Sequence, residues 1–438
     1  MFFRFTAPRI IVLAFTGVIL LGTLLLEIPE SSHKLSWIDS FFISVSAVCV
    51  TGLTPVDIPT TLTPFGQGVL AGLVQVGGLG IMTAATVGAL LVRRRLGFRY
   101  LLIVREELGS PGAPRNIISL LGQVALVTVL MEVIGAIFLA VRFAADGISV
   151  VKALGYGAFH AVTAFCNAGF SNLKDGLYPY AGDWLITLVL AFLIIAGGLG
   201  FPVLTNLYFY RKSRHLTLFS KLVLITTAVL LVFGILSFAA LEWTNPDSIG
   251  KDTLSTKVTK SIFQGVTPRT AGFQTVDYAA LREPTLAVQA ALMFTGTAPI
   301  STGGGIKVTT LAITFLIFLS QVRGVEEVTA FGRQVPRKLI AEALVLLFLA
   351  TFLVAGASIA LMISDKLSLL PALFEVTSAF GTVGLSLNVT PDLSALGKIL
   401  ISIVMFLGRV GTVTLILALA ERTKRQRYTY PQEDIPIG

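Results

Sequence analysis

Cysteine and histidine are almost missing from this chain: two cysteines, Cys49 and Cys166, and three histidines, His33, His160 and His215, in 438 residues. Two cysteines cannot form a disulfide framework or a cysteine-rich zinc site, and the histidines show no metal-ligand spacing. No G-x-x-x-x-G-K-[ST] phosphate loop and no nucleophile elbow is present, which removes the usual sequence marks of nucleotide hydrolysis and serine-type catalysis. Charge is scarce too. Only 13% of residues are Asp, Glu, Lys or Arg, against about 25% in soluble domains. Acid pairs are absent from the long apolar runs.

The apolar runs themselves are abundant. The chain is 54% hydrophobic, and stretches of about 20 apolar residues recur along its length, each able to cross a hydrocarbon layer of about 30 Å. Arg4 and Arg9 precede the stretch Ile10 to Leu26. It is long for a signal core, and Leu24-Leu25-Leu26-Glu27 offers no small-residue cleavage site, so a retained first span is predicted. The net charge of +9 is concentrated between apolar runs, which suits membrane topology rather than nucleic-acid binding.

Four short segments share one pattern: Ser46–Thr54 (SAVCVTGLT), Thr163–Ser171 (TAFCNAGFS), Val266–Gln274 (VTPRTAGFQ) and Ser378–Ser386 (SAFGTVGLS). Each places small or β-branched residues before a Gly, then Leu or Phe. The glycines Gly52, Gly169, Gly272 and Gly384 are 117, 103 and 112 residues apart. Around each lies apolar span, short half-polar helix, glycine segment, apolar span. The short helices are expected at about Ser36 to Cys49, 150–165, 252–266 and 366–380. The units run over 1–95, 116–212, 213–323 and 338–421, with a tail at 422–438. The predicted fold is an all-α integral membrane protein: eight transmembrane helices and four re-entrant pore helices, arranged with pseudo-four-fold symmetry around one pore.

The basic links set the orientation. They hold Arg93, Arg94, Arg95, Arg99, Arg105 and Arg115; Arg211, Lys212, Arg214 and Lys221; Arg323, Arg333, Arg337 and Lys338; and Arg422, Lys424, Arg425 and Arg427 in the tail. The positive-inside rule puts all four links and both termini in the cytoplasm. The glycine segments then face outward, amid Asp39, Asp57, Asp146, Asp175, Asp183, Asp247, Asp252, Asp277 and Asp392. Acid at an outer mouth concentrates cations.

A dehydrated cation needs oxygen ligands in place of water, and rings of backbone carbonyls supply them. Such a segment must be extended with its carbonyls inward, and Gly tolerates the unusual dihedrals this requires at one position. The filter residues are predicted to be Val50, Thr51 and Gly52; Asn167, Ala168 and Gly169; Thr270, Ala271 and Gly272; Thr382, Val383 and Gly384. Leu53, Phe170, Phe273 and Leu385 would pack behind them. Potassium at these carbonyls is the only metal expected.

The third unit departs from its siblings. Its second span, about Thr285 to Gln321, is interrupted by Gly296-Thr297-Ala298-Pro299-Ile300-Ser301-Thr302-Gly303-Gly304-Gly305-Ile306-Lys307. A Pro and a triple Gly break a helix, and the freed backbone must face protein or a cavity. Gly296, Thr302, Gly303, Gly304, Gly305 and Lys307 are therefore expected to form a gate loop. Arg409, in the last span, is expected to add a positive barrier beneath the filter. Glu375 is expected to brace the filter loops from behind, and His160 holds its equivalent place in the second unit.

With these motifs the chain resembles the Trk/Ktr/HKT superfamily of potassium transporters over nearly its whole length, most closely the KtrB-type membrane subunit. Asn167-Ala168-Gly169-Phe170 and Pro268-Arg269-Thr270-Ala271-Gly272-Phe273 look like that family's filter signatures, and Thr302–Lys307 matches its intramembrane loop. Plant sodium-selective relatives replace the first filter glycine with Ser; Gly52 points to potassium. The resemblance implies a channel-like, non-enzymatic potassium uptake subunit in the bacterial inner membrane, with sodium stimulation of uptake as a family trait. It also implies a homodimer and a cytoplasmic KtrA-like RCK ring that binds the regulatory nucleotide. No link here is long enough for a nucleotide-binding domain, and no cofactor is expected in the chain. Two alternatives stand beside this reading: a sodium-conducting relative and an alternating-access transporter with a midplane site.

Overall fold

The computed structural model describes residues 7–33, 35–91, 117–325 and 327–411. The basic residues Arg93 to Arg115, Arg4, and the tail with Arg422, Lys424, Arg425 and Arg427 lie outside the described residues. So do the ends of the expected units at 1–6, 92–95, 116 and 412–438.

Four times the chain runs through a long helix, a short helix, a glycine loop and a further helix. The first pass is α1 (Ala7–Glu27), α2 (Trp37–Val48), the single turn α3 (Ile58–Thr61) and α4 (Pro64–Leu91). The second is α5 (Ile117–Ala145), α6 (Val150–Phe165), α7 (Trp184–Leu199) and α8 (Phe201–Ser213). The third is α9 (Leu218–Glu242), α10 (Leu254–Val266), α11 (Glu283–Phe294) and α12 (Val308–Val322). A two-residue hairpin, β1 (Thr329–Ala330) against β2 (Arg333–Gln334), leads to α13 (Arg337–Asp365), α14 (Leu369–Gly381) and α15 (Ala395–Val410).

The short helices start where the sequence offers a cap. Ser36, Ser149, Thr253 and Ser368 are their N-cap residues, the residue types that can accept from the first orphan N–H groups. Ser36 Oγ accepts from Asp39 N at 3.2 Å and Thr253 Oγ1 from Thr256 N at 3.4 Å. Each short helix ends at a glycine segment, aiming its partial negative end there.

Packing closes the four passes on each other. The helix after each glycine loop lies against the short helix of the next pass: α4 on α6, α7 on α10, α11 on α14, and α15 back on α2. The last contact includes an ion pair, Lys398 Nζ to Asp39 Oδ1, at 2.7 Å.

Burial is inverted relative to a water-soluble bundle. Helix α5 exposes Leu126, Val129, Leu130, Val133, Ile137 and Phe138 and buries Thr128 and Glu132. Leucine outward and glutamate inward is the arrangement expected in an apolar solvent. Three helices among the described residues are long and apolar enough to span alone: Val124–Ala145, Leu218–Glu242 and Arg337–Asp365. All three open a pass.

The helices that follow the first three glycine loops are broken, whereas the sequence predicts a break in the third alone; the fourth, α15, ends at Gly411, where the described residues stop. Gly80 (φ 74°, ψ 145°), Gly200 (φ 80°, ψ 149°) and Gly411 (φ 89°, ψ 132°) interrupt or end their helices with nearly the same dihedrals. At Gly200 the two arms bend by 101°. Only Gly takes such dihedrals without a steric penalty.

Candidate functional site

Each glycine segment has two left-handed residues, not one. They are Val50 (58°) and Gly52 (96°), Asn167 (61°) and Gly169 (65°), Thr270 (66°) and Gly272 (77°), Thr382 (50°) and Gly384 (94°). The segments are therefore not extended strands: φ changes sign around Thr51, Ala168, Ala271 and Val383. A non-Gly residue in this region costs about 1–2 kcal/mol. Four such residues at equivalent places signal a site that depends on the conformation.

The four segments meet. A Cβ added to Gly52 would overlap the carbonyl oxygen of Ala168. One on Gly169 would meet the Ala271 carbonyl, one on Gly272 the Val383 carbonyl, and one on Gly384 the Thr51 carbonyl. Each glycine thus lies against the carbonyl that precedes the glycine of the next segment, and the fourth returns to the first. All four glycines line one cavity of about 350 Å³. Its wall includes Leu53, Phe170, Phe273 and the polar Gln274, Ser386 and Asn388. Leu53, Phe170, Phe273 and Leu385 are buried, as expected.

Four of the nine aspartates expected at the mouth are engaged in ion pairs. Asp39, Asp146, Asp183 and Asp252 are ion-paired with Lys398, Arg142, Arg142 and Lys260. Of the nine aspartates named from sequence, Asp57 lines the cavity. Over it, Tyr178 Oη donates to Gln274 Oε1 at 3.0 Å, and Gln274 Nε2 reaches the Ser386 carbonyl at 3.5 Å. Burial, and secondarily the Asp277 carboxylate, push the Tyr178 phenol up to about 12.

Behind the ring, three of four passes carry a hydrogen-bonded brace. His160 Nε2 bonds Ser171 Oγ at 2.9 Å, and Gln264 Nε2 donates to Thr275 Oγ1 at 2.9 Å. Glu375 Oε1 accepts from Thr390 Oγ1, whose oxygen lies 3.2 Å from Ser386 Oγ. The first pass has Ile43 at the matching place. Gln264 escaped the sequence reading because its segment is offset by one residue from its siblings. The 11-residue spacing to a Ser or Thr that it shares with His160 was the available signal. Two passes also tie the glycine itself: Gly52 N donates to Ser46 Oγ (3.0 Å) and Gly384 N to Ser378 Oγ (3.1 Å).

The Gly-rich loop lies directly beneath the ring. Gly296 N donates to Ile306 O at 2.8 Å and closes the loop's neck. Gly304 N donates to Thr382 Oγ1 at 2.8 Å, and Gly303 has no room for a Cβ because Thr270 and Thr297 hydroxyls abut it. Thr270 Oγ1 in turn donates to the Asn167 side-chain oxygen at 3.0 Å, with the amide oriented so that its nitrogen donates to Ala164 O and Ile194 O. The side chains at the left-handed positions of the third and fourth glycine segments therefore seat the loop. Three cationic groups donate to its carbonyls. Lys307 Nζ bonds Gly303 O (2.7 Å), Arg269 bonds Gly296 O (2.8 Å), and Arg409 bonds Thr302 O. The other arm of Arg409 bonds Gly77 O. Arg409 is thus pinned at the end of α15, between the loop and the first pass.

Gly77 belongs to a second recurrence that sequence reading missed. Gly77, Gly197, Gly296 and Gly408 follow Gly52, Gly169, Gly272 and Gly384 by 25, 28, 24 and 24 residues. A Cβ at Gly77, Gly197 or Gly408 would strike the carbonyl of Val48, Phe165 or Phe380, at the end of the short helix of its own pass. Gly80 and Gly200, which break their helices, and Gly411, which ends α15, come three residues later, and Pro299 stands there in the third pass.

A family model described as TrkH, cation transport protein, matches residues 2–428. The chain belongs to this cation transport family. It is 38% identical over 437 residues to the Ktr system potassium uptake protein B of Bacillus subtilis, covering 99% of this chain and 97% of that protein. It is 34% identical to the potassium/sodium uptake protein NtpJ of Enterococcus hirae, covering 99% and 98%. The crystal structure of the potassium transporter TrkH from Vibrio parahaemolyticus shares the fold, with a TM-score of 0.77 at 19% identity over 95% of this chain and 86% of that one. The family's members carry names of transport proteins and not of enzymes, in line with the missing catalytic motifs.

Proposed function

We propose that this chain is a channel-like potassium uptake subunit, in which the four glycine segments form one selectivity ring. The contact order of the glycines carries the reading: each of Gly52, Gly169, Gly272 and Gly384 abuts the next segment's carbonyl until the circuit closes. Such a circuit brings carbonyls from four passes around one axis, where they can replace the water of a dehydrated cation. The fold then reads as four M1–pore helix–M2 units about one pore, with the broken second helices pointing their non-helical backbone at protein and water. The loop Gly296 to Lys307 and Arg409 form the gate below. Arg409 works less as an isolated charge than as a pin, because its guanidinium joins the loop carbonyl of Thr302 to Gly77.

Potassium rather than sodium is favoured by Gly52, by the ring's lack of space for side chains, and by relatives named for potassium uptake. The name of the Enterococcus relative keeps sodium as a second cargo. Inward flux would draw on the membrane potential, about 2.3 kcal/mol per charge per 100 mV. A homodimer with a cytoplasmic nucleotide-binding RCK ring, and both termini inside, complete the proposal. Complementation of a potassium-uptake-deficient bacterium tests it. Growth at low potassium, with and without sodium, is the predicted result. No growth from a well-expressed, membrane-inserted chain, even with the matching ring subunit, would count against it.

A further inference from the structure

Arg269 is the residue that the filter does not explain. Three residues before the filter glycine the other passes carry Cys49, Cys166 and Gly381, all small. The third pass has an arginine there, and it is buried, with 4% of its surface exposed. Burying a guanidinium costs several kcal/mol unless it is well paired. Among the described residues Arg269 has no carboxylate within ion-pair distance, and its Nε and Nη1 atoms have no hydrogen-bond partner. Its one bond is Nη2 to the carbonyl of Gly296, at 2.8 Å.

That bond ties the third glycine segment to the neck of the loop, whose tip Thr270 also abuts. Gly296 is the neck of the loop, just past the end of α11 at Phe294, where helical carbonyls run out of helical partners. Arg269 is followed by Thr270, a left-handed residue (φ 66°) whose hydroxyl holds Asn167 of the second filter segment and abuts Gly303. The dipeptide Arg269-Thr270 therefore touches the neck of the loop, its tip, and the neighbouring filter segment together. The loop cannot swing away as a unit without breaking the Arg269–Gly296 bond or pulling on the backbone three residues before Gly272.

We propose that Arg269 is a positioning residue that couples the gate loop to the filter, so that a potassium ion in the ring holds the loop closed against it and loop release loosens the ring. This rests on the reading of the ring as filter and the loop as gate. Coupling of this kind is reciprocal, and a coupling free energy of the usual size is a five- to 150-fold effect.

The test follows the loop in the intact protein. Ser301→Cys places a thiol on the half-buried loop, while the native Cys49 and Cys166 are buried. Its rate of modification by a small thiol reagent is measured in liposomes in potassium and in choline. Potassium should slow labelling at least about fivefold. Arg269→Gln should reduce that ratio to near one, and Arg269→Lys, which retains a donor for Gly296 O, should restore part of it. Equal potassium sensitivity in the Gln variant and the parent would overturn the proposal. So would potassium-insensitive labelling of the parent, a result that needs no Arg269 variant to fold. Deletion of Thr302 to Gly305 separates the two levels. Raised flux there, with Arg269 irrelevant to labelling, rejects the coupling alone; unchanged flux rejects the gate.

Discussion

Gly52→Ala adds one methyl group to the ring. Gly52 stands at φ 96°, where an L residue costs about 1–2 kcal/mol. The new Cβ would overlap the Ala168 carbonyl, whereas ordinary contact begins at 3.4 Å. Ala168 is buried and its segment is bonded to the end of α6 through Ala168 N to Thr163 O at 2.7 Å, so the oxygen cannot step aside freely. Overpacking of this kind costs about 1–3 kcal/mol. Half of the combined strain falling on the potassium-filled ring would lower potassium-over-sodium discrimination about five- to sixtyfold, at 1.4 kcal/mol per tenfold. The assay is radioactive rubidium uptake into proteoliposomes, competed by potassium and by sodium, on protein that elutes as a folded species. Gly68→Ala is the control: Gly68 lies on α4 with open space around it and should tolerate the methyl. Wild-type discrimination in folded Gly52→Ala protein would refute the ring.

Arg409→Ala should raise basal flux severalfold, because it frees the Thr302 carbonyl and unpins the loop from Gly77; loss of folded protein without a rise in flux would assign Arg409 to stability alone. Gly200→Ala should lower the melting temperature and the flux together: φ 80° costs about 1–2 kcal/mol, and the Pro299 carbonyl is 3.0 Å from the added Cβ. Glu375→Leu, which strands the hydroxyls of Thr390 and Ser386, should cost about 1–3 kcal/mol of stability, read as a shift in thermal unfolding, with Glu375→Gln milder. The Tyr178–Gln274 bridge needs a protonated phenol. A folded value raised to about 12 from 10 means that its contribution is complete below pH 10 and is lost as pH rises through 12; Tyr178→Phe should abolish that alkaline step in a stability–pH profile.

Most of the plan was legible in the sequence because four copies of one motif reveal what a single copy hides. The small residues before each glycine, the Ser and Thr caps at 36, 149, 253 and 368, and the triple glycine of the loop all carry local physics. What was not legible came from contacts between copies. The closed order of glycine against carbonyl depends on which pass neighbours which, and no single segment encodes it. Val50, Asn167, Thr270 and Thr382 are ordinary residues whose left-handed backbone is imposed by tertiary packing. The aspartate pairings are only partly local: Arg142 and Lys260 lie four and eight residues from Asp146 and Asp252, but the partner of Asp39, Lys398, lies 359 residues away in the chain. The breaks at Gly80 and Gly200 have a sequence signal: Gly-Gly-Leu-Gly occurs at 77–80 and again at 197–200, in register with Gly408-Arg409-Val410-Gly411 at the end of α15. An uninterrupted apolar composition concealed them.

The central claim is that the carbonyls of four glycine segments hold one dehydrated potassium ion on a shared axis. Crystals soaked in rubidium or thallium report on it directly through anomalous scattering. A peak on the axis among the carbonyls of Thr51, Ala168, Ala271 and Val383, displaced by potassium and not by sodium, is the predicted result. An empty ring, or a cation held instead at a buried carboxylate such as Glu132 on α5, would contradict the account and favour a midplane site of the alternating-access kind.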